Sequence, residues 1–331
     1  MVNTRFRGFA WATLAFTLAV ILWGAYVRAS GSGAGCGSHW PTCNGDILPR
    51  PKTIQTVVEL AHRVTSGAIT LVVFAELVWA FVAFPRRHPV RAGAVASMIL
   101  VLTEGAVGAA IVLLQYVEHD KSAGRALWMS IHLINTFFLI AALTCTAWWA
   151  SGGAAIRARG RGLTLNLIVV GAIGLLTIGV SGAITALGDT LFAATSLARG
   201  LADDLSPAAH FLQQLRVIHP IAAVLVAVFL LYARSAIAAA RATPAARRLS
   251  FGLAALLVAQ MLLGVVNLVL LAPVAMQLVH LLAADLVWIT FVLLSAEALG
   301  ESAERVPAAV VPGAEEAARG GSIQREIPLD R

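Results

Sequence analysis

Eight long apolar runs, separated by short polar segments, organise this sequence. They fall at about 9–27, 54–84, 92–116, 126–149, 163–187, 214–234, 250–272 and 274–298. Each reaches the roughly 20 residues that an α-helix, rising 1.5 Å per residue, needs to cross a hydrocarbon layer of about 30 Å. An open strand arrangement would leave backbone groups unpaired in lipid. The pattern therefore predicts an all-α integral membrane protein with eight transmembrane helices. The first run imitates a signal peptide, but its apolar core (9–27) exceeds the usual length of about 7–15 residues and lacks a clean small-residue cleavage site. It reads as a retained membrane helix.

The runs also repeat. Span 3 ends EGAVGAAIVLLQ and span 7 has QMLLGVVNLVLL. Span 4 has SIHLINTFFLI against LVHLLAADLVWI in span 8, and span 2 opens ELAHRVTSGAI against RVIHPIAAVLV in span 6. Spans 1 and 5 both run into a Gly/Ser-rich exit. Two pseudo-symmetric four-helix bundles are expected, 1–150 and 151–298, in one orientation because four spans separate the copies. Residues 299–331 mix Glu, Arg, Gly and Pro without periodicity and read as a disordered cytoplasmic tail.

Composition agrees with lipid as the main solvent: 59% of the 331 residues are hydrophobic and 12% charged, against about 25% charged in a soluble domain. The net charge of +7 reports topology here. Arg5 and Arg7, then Arg86, Arg87 and Arg91, then Arg157, Arg159 and Arg161, then Arg234, Arg241, Arg247 and Arg248 occupy alternate connections. The positive-inside rule places both termini in the cytoplasm and turns 28–53, 117–125 and 188–213 outward. No aromatic-interleaved basic patch is present, so no nucleic-acid partner is expected.

Four of the eight histidines, His62, His132, His219 and His280, stand near the heads of the even-numbered spans. Six to eight residues of helix put each roughly 9–12 Å below the outer surface. A lone intramembrane histidine is usually a hydrogen-bonding partner between helices. Four at one depth, two per half on different helices, suit the two axial positions of a heme iron in each bundle. Zinc would want four ligands, and no Cys or carboxylate completes such a set in the second half. His39, His88, His119 and His210 fall in loops and read as solvated, and Cys145 reads as a small core residue. Glu76, Glu104 and Asp285 read as groups that hydrogen-bond between helices or are neutral in the apolar interior, and Asn135 as one that orients a helix contact.

Glu59 precedes His62 by one helical turn, while the matching positions elsewhere hold Arg216, Met129 and Gln277. The halves are thus chemically unequal. Beside an iron site a carboxylate can move a proton, stabilise a developing cation or hold water. It can equally pair with Arg63 or Arg28 at the interface.

These residues resemble the bacterial heme A synthase family. The marks are VRASGSGAGCGSHWPTCNGDILP at the exit of span 1, ELAHR at 59–63, and the histidines in IHLINT, VIHP and LVH, which together cover about 9–298. The resemblance implies an oxidoreductase of the bacterial plasma membrane. It would oxidise the C8 methyl of heme O to a formyl group by two hydroxylations and loss of water. His62 and His132 would hold the substrate heme, Glu59 would be the catalytic carboxylate, and His219 and His280 would ligate a permanent heme b. Arg63 could serve a propionate. Cys36 and Cys43 correspond to the family's cysteine pair, as a structural disulfide or a redox relay. The partners implied are membrane lipid, a heme O synthase upstream and an electron donor or acceptor, with a homo-oligomer as an open option. A diheme cytochrome b that only carries electrons, or a proton-relaying transporter, are the alternatives.

Overall fold

Ten α-helices run through the described chain: α1 (Thr4–Ala29), α2 (Ile54–Ala83), α3 (Pro89–Leu113), α4 (Ala123–Ala150), α5 (Gly162–Leu191), α6 (Leu197–Asp204), α7 (Phe211–Arg216), α8 (Ile218–Ala239), α9 (Pro244–Val269) and α10 (Val274–Leu299). This computed structural model describes residues 3–47, 49–50, 53–157 and 160–301, so nearly all of the tail expected at 299–331, and Arg159, lie outside the described residues. Among those described, eight helical segments are long and apolar enough to span a membrane, α7 and α8 together making the sixth, Phe211–Ala239. The all-α, eight-span architecture read from the pattern is the one observed.

Apolar periodicity misplaces the helix ends for physical reasons. The first span begins at Thr4, not near 9, because the Asn3 side chain accepts the Phe6 N–H at 3.1 Å and caps a polar first turn. The seventh begins at Pro244, not near 250, where Thr243 caps Ala246 at 3.0 Å and proline takes a position whose N–H has no partner in a helix anyway. The segment 188–213 is not all loop. It holds the last turn of α5, the short α6 capped by Ser196, and the start of α7. The sixth span is interrupted at Val217, and Pro220 falls in the first turn of α8, where its missing N–H costs little.

Within the unit that ends at Gly300, α1 and α3 each pack against α2 and α4, while α5 and α9 each pack against α8 and α10. Exchanging α1, α2, α3 and α4 for α5, α8, α9 and α10 maps these contacts onto one another. It also maps the contacts between the groups: α1 with α10, α4 with α5, α4 with α10, and α1 with α5. The match is not even: α5 packs on α10 less extensively than α1 on α4, and α8 packs on α10 more than α2 on α4. The seam between the groups is aromatic. Trp288 of α10 donates its indole N–H to the Phe137 carbonyl of α4 at 2.7 Å, and the two rings lie 5.3 Å apart. Around it Ile140, Leu143, Leu230, Leu253 and Leu294 are fully buried. Leu71, Leu163 and Phe251 are each at least 70% exposed on the outside, a surface that lipid accommodates and water does not.

The two ends of the bundle differ. At one, Arg161 donates to the Ala240 carbonyl at 2.9 Å, Ile156 bridges Gly300, and Arg241 pairs with Glu297. At the other, Arg28 of α1 reaches across to α5 and α10. It donates to the Ala186 carbonyl at 2.8 Å, to Thr190 at 2.9 Å and to Gln277 at 2.9 Å. Arg216 is buried nearby in the same kind of network, donating to Asp189 Oδ1 at 3.1 Å and to Asp204. The intramembrane carboxyls behave unequally. Glu104 is hydrogen-bonded between helices, whereas neither oxygen of the wholly buried Glu76, nor Oδ2 of Asp285, has a partner in the protein. Cys145 is only half-buried, in an apolar groove with Phe138, Trp288 and Phe291.

Candidate functional site

Each of the four span-head histidines lies on a glycine of the preceding long helix. A methyl group added to Gly24 of α1 would stand 2.9 Å from the imidazole of His62, and one on Gly182 of α5 would stand 3.0 Å from that of His219. On α3 and α9, the corresponding distances are 3.9 Å from Gly108 to His132 and 3.2 Å from Gly264 to His280. A Cβ would crowd the ring at Gly24, Gly182 and Gly264, whereas at Gly108 it would make an ordinary contact. Under the exchange described above, Gly24 matches Gly182 and Gly108 matches Gly264.

The packing distances give a contrasting expectation. Gly24→Ala puts Cβ inside the closest approach that a ring carbon tolerates, so the His62 ring must move. Gly108→Ala leaves an ordinary van der Waals contact with His132. Hemin added to detergent-purified protein should therefore bind the N-terminal half about tenfold or more weakly in Gly24→Ala and near wild-type affinity in Gly108→Ala, read by Soret titration. Equal losses in both variants would show that the glycines matter only for helix packing.

In the C-terminal half the two imidazoles converge. The ring centroids of His219 and His280 are 6.5 Å apart with their planes at 85°. Two imidazoles bound to one metal at about 2 Å each would place their centroids about 6 Å apart, so the pair has the spacing of axial ligands. Ser181 Oγ lies 3.1 Å from Nδ1 of His219, which leaves Nε2 to bind. Nδ1 of both His62 and His280 is buried without a hydrogen-bond partner. Glycine floors, paired imidazoles and unpartnered ring nitrogens fit an iron porphyrin held between helices. Among the described residues no group of three or more His, Cys, Asp or Glu side chains gathers to hold a bare ion.

Glu59 sits above this layer, 3% exposed, at the base of the outer loop. Its Oε1 pairs with Arg63 at 2.5 Å and its Oε2 accepts the Cys36 N–H at 2.8 Å. Of the two interface partners expected for it, Arg63 is the one observed; Arg28 is engaged with Ala186, Thr190 and Gln277. Arg63 also donates to the carbonyls of His39 and Thr42, both at 2.7 Å, so its guanidinium ties the loop to α2. Cys36 and Cys43 form a disulfide. The loop they close is pressed onto the start of α2: Thr56 Oγ1 donates to the Gly35 carbonyl at 2.7 Å, and a Cβ on Gly35 would strike the Gln55 backbone at 2.4 Å.

Of the loop histidines, His88 and His210 are not merely solvated. Their side chains accept the N–H groups of Val90 and Leu212 and so cap α3 and α7. The sequence reading left Glu104 without a specific partner. Its Oε1 lies 3.1 Å from Nδ1 of His132, and it also takes hydrogen bonds from Asn135, at 2.5 Å, and from Thr136. A usable signal was present. Glu104 and Gln260 each stand four residues before a glycine that floors a histidine, and the Gln260 amide nitrogen lies 3.2 Å from Nε2 of His280.

Known proteins bear on this arrangement. Over 303 residues, 92% of this chain, the sequence is 48% identical to a protein of Thermus thermophilus named protoheme IX farnesyltransferase, of which the match covers 50%. The chain thus spans about half the length of that relative. Proteins named heme A synthase match over shorter stretches. That of Alkalihalophilus pseudofirmus is 32% identical over 112 residues, 34% of this chain and 38% of its own. That of Geobacillus kaustophilus is 37% identical over 107 residues, 32% of this chain and 34% of its own. Residues 7–292 match the family described as COX15-CtaA, cytochrome oxidase assembly protein. This chain is a multi-pass membrane protein that belongs to the COX15-CtaA family of cytochrome oxidase assembly proteins, the heme A synthase family its sequence resembles.

Proposed function

We propose that the protein is a heme A synthase of the bacterial plasma membrane, with both termini cytoplasmic. In this reading the half 1–150 holds heme O between His62 and His132 and oxidises its C8 methyl to a formyl group. The half 151–298 holds heme b between His219 and His280 and passes electrons on. The observation that carries this is the set of four imidazoles, each on its own glycine, in two repeat-related halves of which only the first has a carboxylate one turn before a histidine.

Bound iron porphyrin supplies the one-electron chemistry that side chains lack. The chain's own residues bind, orient and handle protons. The glycines let the rings lie flat against α1, α3, α5 and α9. Oε1 of Glu59 takes both Nε and Nη2 of Arg63, while Oε2 keeps a lone pair beyond the Cys36 N–H. It is placed to take a proton released as the methyl C–H bonds break or to hold the water that adds. Arg63 and the disulfide loop fix that carboxylate and cover the site from the aqueous side. With Arg63 committed to Glu59 and two loop carbonyls, a role for it toward a propionate would need those bonds exchanged.

The substrate also suggests an upstream partner. Heme O is a farnesylated heme, and the Thermus relative that this chain half covers is named for farnesyl transfer. We take the matched half of that protein as the oxidising part and the remainder as the transferring part. This chain would then receive heme O from a separate farnesylating enzyme.

The test is to express the chain with a source of heme O and identify the extracted hemes by mass. The expected product carries one more oxygen and two fewer hydrogens than heme O. Heme O recovered unchanged beside bound heme b would favour a diheme electron carrier. Protein without any Soret band, prepared with heme available, would favour transport.

A further inference from the structure

The two halves place the same kind of side chain against the histidine of their last helix, but with different charge. In the repeat register Glu104 of α3 corresponds to Gln260 of α9, since each precedes its histidine-flooring glycine by four residues. Each touches that histidine: Glu104 Oε1 lies 3.1 Å from Nδ1 of His132, and the Gln260 amide nitrogen 3.2 Å from Nε2 of His280. The two contacts differ in the ring nitrogen as well as in charge: the carboxylate lies at Nδ1 of His132 and the carboxamide at Nε2 of His280.

Glu104 is held as an acceptor. Asn135 Nδ2 donates to its Oε2 at 2.5 Å and Thr136 Oγ1 to its Oε1. The amide cannot turn round without loss, because Asn135 Oδ1 accepts from Thr103 Oγ1 at 2.7 Å while Nδ2 also donates to the Leu100 carbonyl at 2.9 Å. The carboxylate is therefore clamped from two helices, α3 and α4, beside the imidazole. No aligned hydrogen bond to Nδ1 of His132 is formed in this ring orientation, and the contact is electrostatic. A small rotation of the ring would aim its N–H at Oε1. Gln260 is held less firmly: its Oε1 is buried with no partner.

We infer that Glu104 is the positioning residue of His132. It takes the Nδ1 proton, presents Nε2 to the substrate-side iron, and makes His132 a stronger donor than His280 beside neutral Gln260. The inference rests on the proposed role of His132 as an iron ligand. A carboxylate on the far nitrogen of a ligating imidazole fixes its tautomer and raises its basicity. A more basic axial ligand favours the ferric state and lowers the reduction potential. With iron porphyrin at both sites, Glu104 would give the N-terminal site the lower reduction potential and so favour electron flow toward the C-terminal half. That sets the direction of flow away from the substrate.

The experiment uses purified full-length protein and hemin as probe, with the N-terminal site identified as the component that His132→Ala loses. Glu104→Gln, which keeps the shape, should weaken hemin at that site about 10-fold or more, raise its midpoint potential and alter its low-spin electron paramagnetic resonance. The C-terminal component should be unchanged, which also reports that the variant is folded. If wild type takes hemin at the N-terminal site and Glu104→Gln leaves affinity, potential and resonance as they were, the inference is wrong. If wild type takes no hemin there, the reading of His62 and His132 as ligands fails instead, and this inference with it.

Discussion

Glu59→Gln is expected to lower heme A formation by at least about 100-fold, the usual contribution of a positioned general acid or base, while heme binding persists. Glutamine keeps the shape of the side chain. Its single carbonyl oxygen can still accept either the Cys36 N–H, now 2.8 Å from Oε2, or the Arg63 guanidinium, while its NH2 cannot accept from the other. What it loses is the negative charge and the capacity to take a proton. Glu59→Ala should do more, because the Arg63 guanidinium and the Cys36 amide would lose their common acceptor, and the loop that Arg63 holds through the His39 and Thr42 carbonyls would loosen. The two variants separate chemistry from anchoring. Heme A measured in membranes supplied with heme O, alongside the Soret absorbance of the purified protein, reads both. If Glu59→Gln makes heme A at the wild-type rate while Glu59→Ala does not, the carboxylate is a loop anchor only. Unchanged yields in both would leave Glu59 out of the reaction and favour the electron-carrier reading.

Much of this was legible in the sequence because membrane helices announce themselves by length, and because similar motifs at the heads of several spans can be compared within one chain. The eight spans follow from uninterrupted apolar runs, and the histidines stand out since ionisable groups are costly at that depth. The glycine under each ring was less visible. Glycine is common in membrane helices, and only the ring packing distinguishes Gly24 or Gly182 from Gly105, which has nothing near it. The helices α6 and α7 escaped because LARGLADD and FLQQLR are too short and too polar to register as spans, and their stability comes from caps at Ser196 and His210. Glu104 had the right offset from Gly108, yet its tie to His132 crosses from α3 to α4, and spacing along one helix is silent on such pairs. Arg28 is the same case. Its partners Ala186, Thr190 and Gln277 lie on two distant helices, so the reading from sequence could offer it only to Glu59.

Exchanging the histidines pairwise tests the division of labour between the halves, and the expected effect is all or none. Protein prepared without heme O should retain one heme b. His219→Ala or His280→Ala should retain none, because each removes one of two imidazoles already spaced at 6.5 Å for a shared iron, and one remaining axial bond holds the macrocycle far less tightly. His62→Ala and His132→Ala should keep that heme b and lose only what binds when heme O is added. The asymmetry has a structural reason. The C-terminal pair is already convergent, with Ser181 beside Nδ1 of His219. In the N-terminal half Nδ1 of His132 lies beside Glu104 instead. Pyridine hemochrome stoichiometry decides the matter. Heme b retained in full by His219→Ala, or lost in His62→Ala, would move the resident heme to the other half and reverse the electron path argued for Glu104 and Gln260.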